Sequence, residues 1–270
     1  MRARRLLLAV ATALAAVLLL PALASAQVAD RCLAVSQAPS SVHPAALGLA
    51  ALEASEVRLT FVGHATWLIE SAGGVNIATD YNDYIRPSVV PDIATMNRAH
   101  ASHFSLVPDP QIKHILRGWN PDGGAAVHDL TLADVRVRNV ATNIRDWGGG
   151  FVPYGNSVFI FELAGMCIGH LGHLHHTLTA QQIGHIGQLD VVMVAVDGSY
   201  TMDVDGVVET LKALRARLVL PMHYFDSFTL SRFLDRIRSD FAVEMGKAPT
   251  IVVSQATLPT EPRVLVLPGR

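Results

Sequence analysis

Twelve histidines stand in 270 residues, and five of them fall between positions 170 and 185. The densest run is Gly169-His170-Leu171-Gly172-His173-Leu174-His175-His176. Neutral imidazole is the commonest metal ligand near neutral pH. Imidazoles packed together cost stability whenever they charge, unless something such as a metal ion holds them neutral. His100 and His103 add a pair spaced i, i+3. Other polar groups follow apolar stretches: Asp80 after 75–79, His170 after 166–168, Asp197 after 191–196 and His223 after 218–220. His64 lies between two such stretches. Side chains at the ends of neighbouring strands can converge along one sheet edge, where loops carry function. The chemistry this pattern points to is metal binding, by a functional site or by a loop that only scavenges metal. Isolated histidines have a blander reading. His43, His114 and His185 are expected at the surface or hydrogen-bonded in the core, and His128-Asp129 in a surface turn.

Strands are needed to position those groups. Residues 57–62, 66–71 and 75–79 read as strands, with Gly73-Gly74 turning between the last two. Residues 81–98 carry Pro87 and Pro91 and read as loop, and 112–118 as a short helix. Residues 135–140 alternate with period two, Gly148-Gly149-Gly150 is a break, and 157–163 with 166–168 make a strand pair. Thr179 with Gln182 three residues on fits a capping box that opens a short helix. The unbroken apolar run 191–196 is that of a strand buried on both faces. Val204, Val207, Val208, Leu211 and Leu214 recur at helical spacing, as do Leu230, Phe233, Leu234 and Ile237 with Thr229 as N-cap. Residues 218–220 form a brief strand closed by Pro221, and Val252 and 264–267 mark late strands. Early strands followed by alternating strands and helices predict packed sheets with helices outside, in one domain.

Composition narrows the function classes. The chain is 50% hydrophobic and 16% charged, which excludes intrinsic disorder. A net charge of −2 gives no basic excess for nucleic-acid binding. Arg2, Arg4 and Arg5, an apolar stretch over 6–20, Pro21 and then Ala24-Ser25-Ala26 predict a signal peptide over 1–26, cleaved before Gln27. Residues 27–55 read as a poorly ordered leader with a short helix near 45–54, and 56–270 as the folded domain. A periplasmic or secreted protein follows, with a small-molecule substrate, no nucleic-acid partner and no membrane association after cleavage. The two cysteines, Cys32 and Cys167, are expected as free thiols, Cys167 in a sheet core and Cys32 in the leader.

Phe61-Val62-Gly63-His64-Ala65-Thr66-Trp67-Leu68-Ile69-Glu70 resembles the opening of the metallo-β-lactamase-fold hydrolases. The segment 170–179 resembles the "HLGDLGH-LT" stretch of the branch that includes ascorbate-6-phosphate-lactonase-like proteins. Leu189-Asp190-Val191-Val192-Met193 and Pro221-Met222-His223-Tyr224 follow in the expected order, so the resemblance runs over about 57–228. It implies an α/β fold, a four-layer αββα sandwich, with a metal-activated water at the sheet edge. It also implies that Asp80 orients a ligand, that His223 is the last metal-binding histidine and that His64 supports the site. His173 stands where the family has a metal-bridging Asp. The family's "H-x-H-x-D-H" is reduced here to His100-Ala101-Ser102-His103, with Leu106-Val107-Pro108 beyond. Thr142, Asn143 and Ile144 occupy the place of a further expected histidine.

What survives as a ligand set is His100, His103, His173 and His223, enough for one zinc ion rather than two. The leading expectation is an exported zinc-dependent hydrolase acting on an ester, lactone or phosphoester, with His175, His176 or Asp197 moving the proton. The alternative is a non-catalytic domain of the same fold with a structural metal. No Gly-x-Ser-x-Gly elbow is present to support a serine nucleophile.

Overall fold

Alternating and continuous apolar strands build two sheets face to face. The computed structural model of the protein describes residues 32–33, 51–146 and 148–269. The expected signal peptide over 1–26 and most of the expected leader over 27–55 lie outside these residues. The first sheet holds β1 (Glu56–Gly63), β2 (Thr66–Ser71), β3 (Asn76–Ala78), β4 (Ile93–Met96), β5 (His114–Arg117) and β13 (Thr250–Ser254), in the order β13-β1-β2-β3-β4-β5. The second holds β6 (Asp129–Leu132), β7 (Val135–Arg145), β8 (Phe151–Leu163), β9 (Met166–His170), β10 (Val191–Ala195), β11 (Leu218–Met222), β12 (Ala242–Met245) and β14 (Arg263–Val266). Its order is β12-β14-β11-β10-β9-β8-β7-β6. Two packed sheets are the sandwich core that the resemblance implies.

β10 shows why the second sheet lies at the centre. Val191, Met193 and Ala195 join Leu59, Trp67, Phe159 and Phe161 in the core between the sheets. Val192, Val194 and Val196 face the other way, against Val207, Leu211, Phe233 and Ile237. The latter belong to α2 (Val204–Leu214) and α3 (Ser227–Ile237), and α1 (Ala180–Ile186) adds Ile186 to the same layer. On the first sheet Tyr81, Ala94, Met96 and Ile112 form a smaller cluster with Phe104 and Trp119. The helices among the described residues thus cover one sheet, and loops pack in that smaller cluster.

Thr179 caps α1 with Gln182 in a full capping box. Three local expectations are corrected. Residues 114–117 are a strand parallel to β4, not a helix, because the short apolar run pairs with a buried neighbour. β4 itself lies inside the segment read as loop. α3 is capped by Asp226, which accepts from the Thr229 N–H at 2.7 Å, not by Thr229.

The expectation of free thiols is overturned. Cys32 and Cys167 form a disulfide, with Cα atoms 5.8 Å apart across a sequence separation of 135. Cys32 is buried in the layer between sheet and helices, and its carbonyl accepts from the Gln188 N–H at 3.0 Å. The leader is therefore anchored at this residue. Cross-linking over so long a loop removes much of the unfolded chain's freedom.

Candidate metal centre

The strand ends at one edge of the sandwich bring four imidazoles together. His223 follows β11, His173 follows β9, and His100 and His103 lie in the loop after β4. One ring nitrogen from each lies within 4.8 Å of the other three. His103 Nε2 and His223 Nε2 are 3.1 Å apart, and His100 Nε2 and His173 Nε2 are 2.9 Å apart. His103, His173 and His223 are buried, and His100 is the partly exposed member. The backbone is held in the left-handed region at His64, Asp80 and His223, with φ of 52°, 40° and 57°. Such conformations cost energy for residues with a side chain and gather at functional sites.

The outer nitrogens of the rings decide which inner nitrogens carry lone pairs. His103 Nδ1 donates to Asp80 Oδ2 at 2.6 Å, and His223 Nδ1 donates to Asp197 Oδ1 at 3.1 Å. In the neutral ring a proton on Nδ1 leaves Nε2 as an acceptor. Two acceptor lone pairs therefore face each other across 3.1 Å in a buried place. Nothing in the neutral pair satisfies them, and a cation does. The donor set fits a divalent metal ion, with carboxylates behind two of the ligands as metal-bound histidines usually have.

The other pair is wired differently. The Arg145 backbone N–H donates to His175 Nδ1 at 3.0 Å. Neutral His175 then carries its proton on Nε2, 2.5 Å from His173 Nδ1. His173 in turn carries its proton on Nε2, towards His100. Binding a metal through His173 Nε2 requires that proton to leave.

Burial and the neighbouring rings push most of these histidines towards neutrality. His103 and His173 are held well below the ordinary value, first by burial and then by mutual repulsion. Burial lowers His64 and His175 to about 4, helped by His223 in the first case and Arg145 in the second. Burial raises Asp80 to about 6, against the pull of His170 and an Asn97 hydrogen bond. For Asp197 burial acts upward, but hydrogen bonds from His223 and Thr201 outweigh it and hold the carboxyl well below the usual range.

Of the residues expected around the ligands, Asp80, Asp197 and His175 touch them directly. His64 lies against the His223 ring, centroids 4.1 Å apart and planes tilted by 38°, and shares a 3.0 Å hydrogen bond with Ser102. His176 does not join them: its Nε2 accepts from the Asn143 N–H and its Nδ1 donates to the Thr177 carbonyl. Both its nitrogens are engaged away from the cluster. His170 is likewise fully engaged, donating to Ala65 O and accepting from the Gly172 N–H. Two asparagines were not foreseen. Asn97 donates to Asp80 Oδ1 at 2.9 Å, and Asn156 accepts from the His173 N–H at 2.8 Å. Gly172, at φ 60°, lies so close to both amides that a Cβ there would collide with them. Asn97 follows a buried strand as Asp80 and Asp197 follow theirs, but Pro87 and Pro91 make the segment 81–98 read as loop and hide that signal.

Comparison with known proteins agrees with this geometry. Residues 58–223, more than half of the chain, match the family model described as the beta-lactamase superfamily domain. The chain belongs to this family. A UPF0173 metal-dependent hydrolase of Thermoplasma acidophilum is 33% identical over 115 residues, 42% of this chain and 47% of that protein. The match thus spans about half the length of that relative. One from Archaeoglobus fulgidus is 24% identical over 193 residues, 62% of this chain and 83% of that protein. A solved structure from Thermotoga maritima, named as a Zn-dependent hydrolase of the metallo-beta-lactamase superfamily, superposes with a TM-score of 0.60. It is 28% identical, and the match covers 79% of this chain and 100% of that one. The beta-lactamase superfamily domain of this chain thus places its imidazoles at the edge of a sandwich shared with metal-dependent hydrolases.

Proposed function

We propose that this chain is a metal-dependent hydrolase that holds one divalent ion, zinc, among His100, His103, His173 and His223. Its substrate class is an ester, lactone or phosphoester, in keeping with the lactonase-like branch its motifs resemble. The observation that carries this reading is the facing pair of Nε2 lone pairs on His103 and His223, 3.1 Å apart and fixed by two buried carboxylates. A divalent ion held there supplies Lewis acidity, lowering the pKa of water towards about 7 and polarising the scissile oxygen. The chain's own residues do the rest. Asp80 and Asp197 hold the tautomers of His103 and His223. His64 and Ser102 line a cleft of about 300 Å³ beside His100, with Tyr200 and Phe225. His64 Nε2 faces that cleft through Ser102 and is placed to hold the proton in transit. Asp197 and His175 are engaged in hydrogen bonds that orient the ligands.

Export to the periplasm or the medium belongs to the same reading, with 56–270 as the working domain. It is supported by the arginines and apolar run at the N-terminus and by the Cys32–Cys167 disulfide, a bond typical of oxidising compartments.

One observation favours a second reading. Four imidazoles fill a tetrahedral zinc shell, the arrangement of structural rather than catalytic sites. Elemental analysis of chelator-free protein, with turnover of neutral esters and phosphodiesters, separates the two. One equivalent of metal with turnover supports the hydrolase. One equivalent without turnover supports the structural metal. Two equivalents overturn the single-ion assignment, and none overturns both.

A further inference from the structure

Two clefts meet at His100. One is lined by His64, His100, Ser102, Tyr200 and Phe225. The other, of about 270 Å³, includes His100, Arg145, Asp146, His173 and His175, and Tyr200 again. Tyr200 thus stands between them. Its ring meets Phe225 edge-on at 5.5 Å, and Phe225 lies 5.4 Å from the His223 ring. Both rings are 55% exposed, so neither is spent on the core.

The Tyr200 backbone is held firmly in place. Asp197 Oδ2 accepts from the backbone N–H groups of Ser199, Tyr200 and Thr201, while Oδ1 accepts from His223. Arg145 reaches across to the Ser199 and Thr201 carbonyls. One carboxylate therefore orients His223 and also fixes the backbone from which an aromatic side chain projects beside it.

The charges lining the clefts balance. Arg145 is their one cation, and its guanidinium is engaged with Ser199, Thr201 and His175. Asp146 stands beside it with a negative charge, its carboxylate accepting from the Gly148 and Gly150 N–H groups. Beyond the metal ion itself, a phosphoryl group would find no uncommitted side-chain cation along the clefts to hold its remaining charge. Apolar rings beside a mouth whose side-chain charges balance favour an uncharged, ring-bearing ligand, since aromatic pairs add to the burial of their area.

We propose that Tyr200 and Phe225 form a specificity slot for an uncharged carboxylic ester or lactone that carries a ring-sized apolar group. The inference rests on the hydrolase reading and narrows it from esters and phosphoesters to neutral esters. In the reaction, water adds to the carbonyl carbon, the ester C–O bond breaks, and the water's protons end on the leaving alkoxide and in solvent. No further reactant is needed.

The test uses metal-loaded protein with methyl phenylacetate, methyl acetate and methyl phenyl phosphate, followed by proton release or product. Methyl phenylacetate is expected to show a KM roughly tenfold below that of methyl acetate, with phosphate-ester turnover far below both. Tyr200→Ala and Phe225→Ala should erase the phenylacetate advantage through KM. Phe228→Ala, at a ring 74% exposed and outside the slot, should keep it. Equal KM values for the two esters, a preference for the phosphate ester, or a preference retained in both slot variants would overturn the slot. If metal-loaded protein turns over none of the three, the hydrolase reading fails by itself. Binding of phenylacetamide, followed by NMR line broadening, then decides the slot: binding lost in Tyr200→Ala supports it, and no binding to the unaltered protein overturns it.

Discussion

The four imidazoles fall into two pairs of similar spacing and different wiring. Behind His103 and His223 stand carboxylates, Asp80 and Asp197, which can only accept while ionised. They draw each ring's proton outward and leave Nε2 bare towards the centre. Behind His173 stands His175, whose other nitrogen is already taken by the Arg145 N–H. That arrangement sends the proton inward, towards His100. The distances between inner nitrogens, 3.1 Å and 2.9 Å, hardly distinguish the pairs. The difference lies in the second layer, which makes one pair a ready ligand set and leaves the other to be converted. Metal-binding strength is therefore expected to rest unequally on the four histidines.

The largest effect follows from removing a member of the ready pair. His103→Ala or His223→Ala should abolish metal retention through gel filtration, while His100→Ala, at the exposed end, should retain metal at lower affinity. His114→Ala and His185→Ala, remote from the cluster, should leave the content unchanged. Elemental analysis with circular dichroism as a fold control checks this. Equal loss in His100→Ala would erase the distinction between the pairs.

Next in size are the carboxylates. Asp80→Asn and Asp197→Asn keep the shape but no longer compel the histidine to donate, and each should weaken metal binding roughly 10- to 100-fold. Competition against a chromophoric chelator measures it. An unchanged affinity in both would show that the tautomers are set without the charge.

Acid should act on the metal-free protein next. His64 and His175 are lowered to about 4 from 6.5, and His100, His103, His170 and His173 are lowered too, burial being the first cause throughout. The unfolded chain therefore binds more protons than the folded one below about 6.5, and stability falls as pH drops from there towards about 4. Asp80, raised to about 6, opposes this over part of the window, as one group against six. Calorimetry from pH 7 to 4.5 should show a steady fall in Tm without metal. With metal bound the curve should stay higher until the ion is lost. A Tm that rises on acidification would mean that Asp80 outweighs the rings.

The legibility of these features in sequence follows the same division. β10 could be read because an unbroken apolar run has few alternatives, and α1 because Thr179 and Gln182 are local to each other. The strand at 114–117 could not, since four residues carry too little periodicity and a partner strand decides them. The Cys32–Cys167 bond joins residues 135 apart, and nothing local marks Cys32 as buried. His223 was legible through its place after a strand, and His100, His103 and His173 through their close spacing and the family resemblance. Which of them are ready to bind was not, because that depends on how Asp80, Asp197 and the Arg145–His175 contact meet the rings, contacts made only when segments distant in sequence come together.

The smallest effect is expected at His175, where the comparison is most exposed to refutation. A supporting residue behind a ligand would normally cost affinity when removed. Here His173 must shift its proton from Nε2 to Nδ1 before it can bind, and His175 Nε2 can accept a hydrogen bond from that Nδ1–H only if its own proton moves to Nδ1, at the loss of the Arg145 contact. In His175→Ala the cleft beside His173 opens to water, which accepts from Nδ1 without that conflict. Metal affinity should then change by less than about threefold, well under the effect of either Asp→Asn substitution. A loss as large as that of Asp197→Asn would mean that His175 accepts from His173 in the metal-bound protein, with the Arg145 N–H left to find another partner. The two pairs would then be equivalent, and the inward-pointing proton would be a feature of the metal-free state alone.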